Sequence, residues 1–370
     1  MTLSSVTIPY LLLVSFLTPH LSDPAVSKVR MLNDSPYQGV AVMLRCAYSP
    51  QKVHERDFSA SVRLLRLGFK KDIWPWVFFN RFIGVKAGDE STPYVDGTEL
   101  AKPFKLIKGM DLYNETGALE DFYHTWKIAL KTARKLGSPG IVLDTEPYNN
   151  YLTGELPYLA KLRSAPAEQV RQRLEEIGRE LTDLADRTYP EATIWILATE
   201  LTTKPVPRTL ASHMTLTRYH PSGSYIIRGM LNRAVEKDSK LKFISGGQEG
   251  LGYCHHTLEE MAKKIQQRQE KFEPLLQTYN NLSLAGTIVM WDKAESKSGY
   301  FATNQRCRDS TIKSLTEFEP LLRLLFSHYR YNWIYASEPW DDPYNVRTST
   351  QYTDLIERVQ LQTSSQASQR

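Results

Sequence analysis

The segment Gly140-Ile141-Val142-Leu143-Asp144-Thr145-Glu146-Pro147-Tyr148-Asn149 runs from a short apolar stretch straight into two carboxylates one residue apart. If the stretch is a strand, alternation puts Asp144 and Glu146 on one side and Thr145 on the other. Neighbouring carboxylates repel, which raises one pKa enough to hold a proton near neutral pH, as a general acid requires. Under the competing reading, an arginine such as Arg45 or Arg81 holds the same carboxylate in a structural ion pair.

Other apolar runs end in similar chemistry. Ile194-Trp195-Ile196-Leu197-Ala198-Thr199-Glu200 delivers a carboxylate ahead of a loop holding Lys204, Pro205 and Pro207, where a surface glutamate would serve as well. Leu241 to Glu249 passes through Gly246 and Gly247 to Gln248 and Glu249. Glycines at a strand end allow close approach of a backbone or ligand, and a simple turn would also need them. Gly286 to Asp292 ends in Trp291 and Asp292, an aromatic beside a carboxylate. Such a ring can stack on the apolar face of a sugar while the carboxylate acts on its glycosidic bond; a Trp filling a core beside a structural Asp is the alternative. Trp76, Asn80 and Arg81 flank another run. Tyr148, Asn149, Trp291, Trp76, Asn80 and Arg81 are therefore the candidate substrate-binding residues.

These side chains need a scaffold that gathers strand ends on one face. From residue 40 onward, near-continuously apolar runs alternate with amphipathic helical stretches, the order of a parallel sheet with helical crossovers. Eight runs read as strands: Val40–Leu44, Trp76–Asn80, Gly140–Asp144, Thr193–Ala198, Met214–Thr217, Leu241–Ser245, Gly286–Trp291 and Asn332–Ala336. Phe104–Met110 competes with Met214–Thr217 for a place in that count. Eight strands closing on themselves form an α/β fold, the (β/α)8 TIM barrel, with an open doubly wound sheet as the alternative. In the barrel, chemistry gathers at the C-terminal ends of the strands.

The helices are well marked. Val170, Leu174, Ile177, Leu181 and Leu184 form one apolar stripe between Pro166 and Thr188. Thr257-x-x-Glu260 opens another helix as a capping box, continued by Met261, Ile265 and Phe272. Phe122 to Leu136 ends at Gly137 ahead of Pro139.

The 370 residues, 41% hydrophobic and 24% charged, suffice for one barrel domain, expected over residues 28–362, with a polar tail over 363–370. Ile8 to Leu17, followed by Ala25-Val26-Ser27, reads as a signal peptide over residues 1–27, although no Lys or Arg precedes it. That reading makes the protein secreted or periplasmic, and no later run is long enough to span a membrane. The net charge of +5 is spread along the chain, which argues against a nucleic-acid partner. Cys46, Cys254 and Cys307 are too few and scattered for a disulfide scaffold or zinc site. The adjacent His255 and His256 lack metal-ligand spacing, so no metal and no cofactor is expected. No G-x-G-x-x-G follows the first strand and no G-x-S-x-G follows any, which speaks against dinucleotide binding and serine-nucleophile chemistry.

The Asp-Thr-Glu-Pro-Tyr and Trp-Asp strand ends on an eight-strand count resemble TIM-barrel glycoside hydrolases, over roughly residues 38 to 345. The resemblance is architectural and points to no specific family. It implies an acid/base glutamate after the fourth strand and a nucleophile after the seventh. On the count above, Glu200 follows the fourth and Asp292 the seventh. With Phe104–Met110 as a strand and Met214–Thr217 dropped, Glu146 follows the fourth instead. The chain offers Asp144-Thr145-Glu146 and Ala198-Thr199-Glu200 where Asn-Glu is usual, and Asp292 where Glu is common. The expected reaction is glycosidic hydrolysis of an oligo- or polysaccharide by two carboxylates. Glu146 would be the acid and Asp292 the nucleophile or base, with Asp144 tuning Glu146 and Glu200 and Glu249 in reserve. A barrel that binds carbohydrate without cleaving it is the alternative.

Overall fold

The computed structural model describes residues 9–15, 26–43, 58–78, 118–145, 165–197, 206–207, 218–219, 222–247, 251, 257–289, 315–336 and 345–367. Eight parallel strands close into a barrel: β1 (Tyr10–Ser15), β2 (Gly39–Met43), β3 (Asp72–Phe78), β4 (Gly140–Asp144), β5 (Thr193–Ile196), β6 (Lys242–Ser245), β7 (Leu282–Val289) and β8 (Tyr331–Ala336). A helix follows each: α1 (Val26–Asp34), α2 (Ser59–Arg66), α3 (Ala118–Leu136), α4 (Ala167–Thr188), α5 (Ser222–Glu236), α6 (Leu258–Thr278), α7 (Leu315–His328) and α8 (Asn345–Ala367). A two-residue antiparallel ribbon, Val206–Pro207 with Arg218–Tyr219, lies in the chain between β5 and α5. The expected (β/α)8 barrel is the observed fold.

The apolar run expected as a leader is β1. Its residues pair with β8 on one side, Tyr10 opposite Tyr331 through Ser15 opposite Ala336, and with β2 on the other. Leu11, Leu12 and Leu13 are fully buried, and the side chain of Gln360 on α8 donates to the Pro9 carbonyl at 3.3 Å. Ala25-Val26-Ser27, read as a cleavage site, leads into α1. Cleavage there would remove the strand that closes the barrel, so this run lends no support to a secreted location. Barrel strands buried on both faces and leader segments share one signature, a continuous apolar run of about ten residues.

Two further boundaries are corrected. β5 pairs directly with β6, and β3 with β4, so the barrel closes on eight strands without Met214–Thr217 or Phe104–Met110, which lie outside the described residues. The polar tail expected from residue 363 is helical to Ala367. Thr363, Ser364 and Ser365 turn their hydroxyls back onto the carbonyls of Val359, Gln360 and Leu361, which satisfies them within the helix.

Followed once around the barrel, the strand register advances by eight residues, the shear of a (β/α)8 barrel. That shear stacks the inward side chains in layers. Leu12, Trp74, Trp195 and Ala285 come from odd strands, and Ala41, Val142, Gly246 and Trp333 from even ones; Trp76 and Leu197 belong to the next odd layer. Trp74 and Trp195 meet edge to face at 5.6 Å, with Tyr10 and Tyr331 closing the cluster from below. The barrel is a packed core, not a pore. A second apolar shell lies between strands and helices, where β4 alternates outward with Ile141 and Leu143 against Phe122, Trp126 and Ile177.

Candidate active site

The mouth of the barrel is the face where β4, β6 and β7 end, so it is built upward from the last packed layer. On β4, Val142 belongs to the interior and Ile141 and Leu143 to the outer shell. Alternation therefore turns Asp144 inward, one layer above Trp76 and Leu197, with 2% of its surface exposed. Thr145, on the outward side, is 7% exposed. Asp144 is thus a buried aspartate at the top of the aromatic plug.

β6 ends in a different device. Cβ atoms added at Gly246 would come within 2.5 Å of the Ile196 carbonyl, so only glycine lets β6 lie this close to the end of β5. Trp333 on β8 reaches across to donate to the Gly246 carbonyl at 2.7 Å. Gly247 adopts φ +82°, a conformation that excludes ordinary side chains. Gly246 answers to close approach and Gly247 to both readings, since a Cβ there would also come within 2.8 Å of the Arg268 guanidinium.

Beneath this turn sits Arg268 of α6, 2% exposed. It donates to the carbonyls of Ser245 at 2.9 Å and Ala285 at 2.8 Å, and to the Ser245 hydroxyl at 3.2 Å. Its guanidinium lies over the rings of Phe272 and Tyr329, at 5.2 and 5.4 Å. Arg268 ties the end of β6 to the middle of β7. The sequence held a signal for it: an arginine in line with Met261, Ile265 and Phe272 occupies a core position of the stripe. Among the described residues, no cluster of His, Cys, Asp and Glu could hold a metal ion, and no helix is long and apolar enough to cross a membrane.

Of the candidate residues, Asp144 and Trp76 are described. Trp76 is 1% exposed and packed in the barrel interior. A stacking wall needs an open ring face, so Trp76 is floor, not wall. Glu146, Asp292, Glu200, Glu249, Asn80, Arg81, Tyr148, Asn149 and Trp291 lie outside the described residues. Their order along the barrel nevertheless follows from the strands. With β1 at the N-terminus, Glu146 comes two residues after the fourth strand ends and Asp292 three after the seventh. Glu200 follows the fifth strand, not the fourth as expected.

These features define a (β/α)8-barrel protein. No protein-family model matches the chain, and no curated protein does. Among solved structures, the chain is similar to a family 5 xyloglucanase from Paenibacillus pabuli, at 8% identity and a TM-score of 0.48, over 96% of this chain and 99% of that one. It is similar at 7% identity and a TM-score of 0.47 to a glycoside hydrolase family 5 enzyme from Prevotella bryantii, over 97% and 98% of the two chains. Endonuclease IV from Thermus thermophilus matches at 10% identity and a TM-score of 0.43, over 94% and 99%. Neighbours this distant, with chemistries this different, assign no reaction to the chain.

Proposed function

We propose that the protein hydrolyses glycosidic bonds in an oligo- or polysaccharide, with Glu146 as general acid and Asp292 as nucleophile or base. The observation that carries this reading is the strand count: Asp144-Thr145-Glu146 leaves the fourth strand of the barrel and Trp291-Asp292 follows the seventh. Those are the positions from which the sequence likeness to TIM-barrel glycoside hydrolases expects the two carboxylates.

Asp144 supports the assignment. Asp144 is buried two residues before Glu146 in the chain, and in this reading its charge would oppose a second one and favour the protonated acid. The acid would protonate the leaving oxygen as the bond breaks, while Asp292 attacks the sugar or activates water, through an oxocarbenium-like transition state. Trp291 and Tyr148 remain the stacking residues of this reading, with Asn149, Asn80 and Arg81 as polar contacts.

The test is release of reducing sugar from a panel of neutral and acidic polysaccharides by the wild type and by Glu146→Gln. Loss of about 10²–10⁴-fold in the variant, with an unchanged melting temperature, is expected. Equal rates would overturn the role of Glu146. Saturable binding without any turnover by the wild type would favour a carbohydrate-binding barrel instead.

A further inference from the structure

At the opposite end of the molecule, α3 and α4 form a groove of about 590 Å³ lined by Lys127, Lys131, Arg134, Lys135 and Arg187, with Leu184 and Thr188. Both helices run antiparallel to the strands, so their C-terminal halves lie beside the starts of β4 and β5, away from the mouth. We infer that this groove binds an acidic polysaccharide chain, one that carries carboxylate or sulfate groups, as a docking site separate from the mouth.

The groove carries charge that no neighbouring carboxylate among the described residues neutralises. On the neighbouring α4–α5 surface, Arg171, Arg173, Arg179, Arg228, Arg233 and Lys237 all have carboxylate partners. Among the described residues, none of the five groove cations has one; Arg134 donates only to the Thr188 carbonyl, at 3.4 Å. Helix dipoles account for part of the pattern, since Arg134, Lys135 and Arg187 stand in last turns. Lys127 and Lys131 stand further back, where the dipole no longer acts. The row from Lys127 to Lys135 extends about 12 Å along α3, with Arg187 facing it.

The lining also selects the ligand. Among the described residues no aromatic ring lines the groove, so neither a neutral sugar nor unstacked bases would find a platform there. A compact phosphate is best held by backbone N–H groups at a helix N-terminus, whereas helix C-terminal ends meet here. A chain whose anionic groups recur along its length matches the row of cations. Because the two sites lie at opposite ends, this docking stands whether or not the mouth is catalytic.

Calorimetric titration of the full chain with a heparin-derived octasaccharide and with tetragalacturonate tests it. Binding of at least one in 50 mM salt is expected, weakening about tenfold or more in 200 mM. Lys127→Glu, Lys131→Glu and Lys135→Glu together should abolish it with the melting temperature unchanged. Lys70→Glu, Lys240→Glu and Lys263→Glu, the same change in net charge elsewhere, should preserve it. Absence of binding to both probes, or equal loss in both triple variants, overturns the proposal. Tighter binding of oligo(dT) than of either glycan would overturn it in favour of nucleic acid.

Discussion

Arg268 carries a full charge into the layer between α6 and the barrel, and two backbone carbonyls and two aromatic rings make that burial tolerable. Arg268→Met would leave those carbonyls short of a donor, a loss of about 2–4 kcal/mol. Arg268→Lys would recover little, because one ammonium cannot span the two carbonyls as the planar guanidinium does. Urea unfolding measures both; a change under about 0.5 kcal/mol for the Met variant would contradict the assigned role. Asp144 makes a second prediction. In the proposed mechanism the charge of Asp144 favours the protonated form of Glu146, so Asp144→Asn should let Glu146 lose its proton at lower pH. The alkaline limb of the pH–rate profile should then move toward acid, and an unmoved limb would detach Asp144 from the acid. Asp144 was legible in the sequence because an apolar run leading into a carboxylate marks a strand end. Trp76 was misread because residue type alone does not separate a ring in the plug from a ring on the wall.

At the scale of elements, β1 is the decisive piece. Full burial of Leu11, Leu12 and Leu13 is worth about 1.5–3 kcal/mol each, before the two hydrogen-bonded ladders that β1 completes. Total stability of a domain is about 5–15 kcal/mol, so a chain beginning at Lys28 should fail to unfold cooperatively in a thermal melt. A sharp transition at the wild-type temperature would show that the barrel closes without β1. Between α4 and α5, Gly178 and Gly229 let the helices touch, and Cβ atoms added there would fall within 2.0 Å of the Ile226 and Glu175 carbonyls. Ion pairs flank that contact. Burial alone would raise the Asp183 pKa, but hydrogen bonds from Arg233 and Lys237 outweigh it and hold the carboxyl below its ordinary value. The resulting stability is present above the usual carboxylate range near pH 4 and is lost as pH falls through the folded value. Asp183→Asn should therefore lower the melting temperature at pH 7 and flatten its decline in acid. Helix α4 was legible to the residue, because Val170, Leu174, Ile177 and Leu181 keep helical spacing and all are buried. The first half of β3 was not, since Pro75 interrupts a run that still pairs with β2 from Asp72 onward.

The whole molecule has two ends with different chemistry. One ends its strands above a plug of tryptophans, with Asp144 in the layer over it; the other presents five cations between α3 and α4 that have no carboxylate partner among the described residues. The barrel itself was readable from alternation, because parallel strands buried on both faces and amphipathic helices leave different periods. The strand count reached eight by a different set: the barrel includes β1, which was read as a leader, and closes without Met214–Thr217, which lies outside the described residues. Correcting both moves Asp144-Thr145-Glu146 behind the fourth strand and leaves Asp292 behind the seventh. The cationic groove was not anticipated, since its residues are spaced along a helix and completed only by Arg187 from the next one. The measurement that bears most directly on the central claim is the separation of the Glu146 and Asp292 carboxyl groups in a crystal structure with an oligosaccharide bound in the mouth. A separation of about 5–5.5 Å across the scissile bond is predicted for a retaining hydrolase and about 6.5–9.5 Å for an inverting one. Carboxyl groups turned away from each other, or Glu146 saturated by an arginine, would contradict the account.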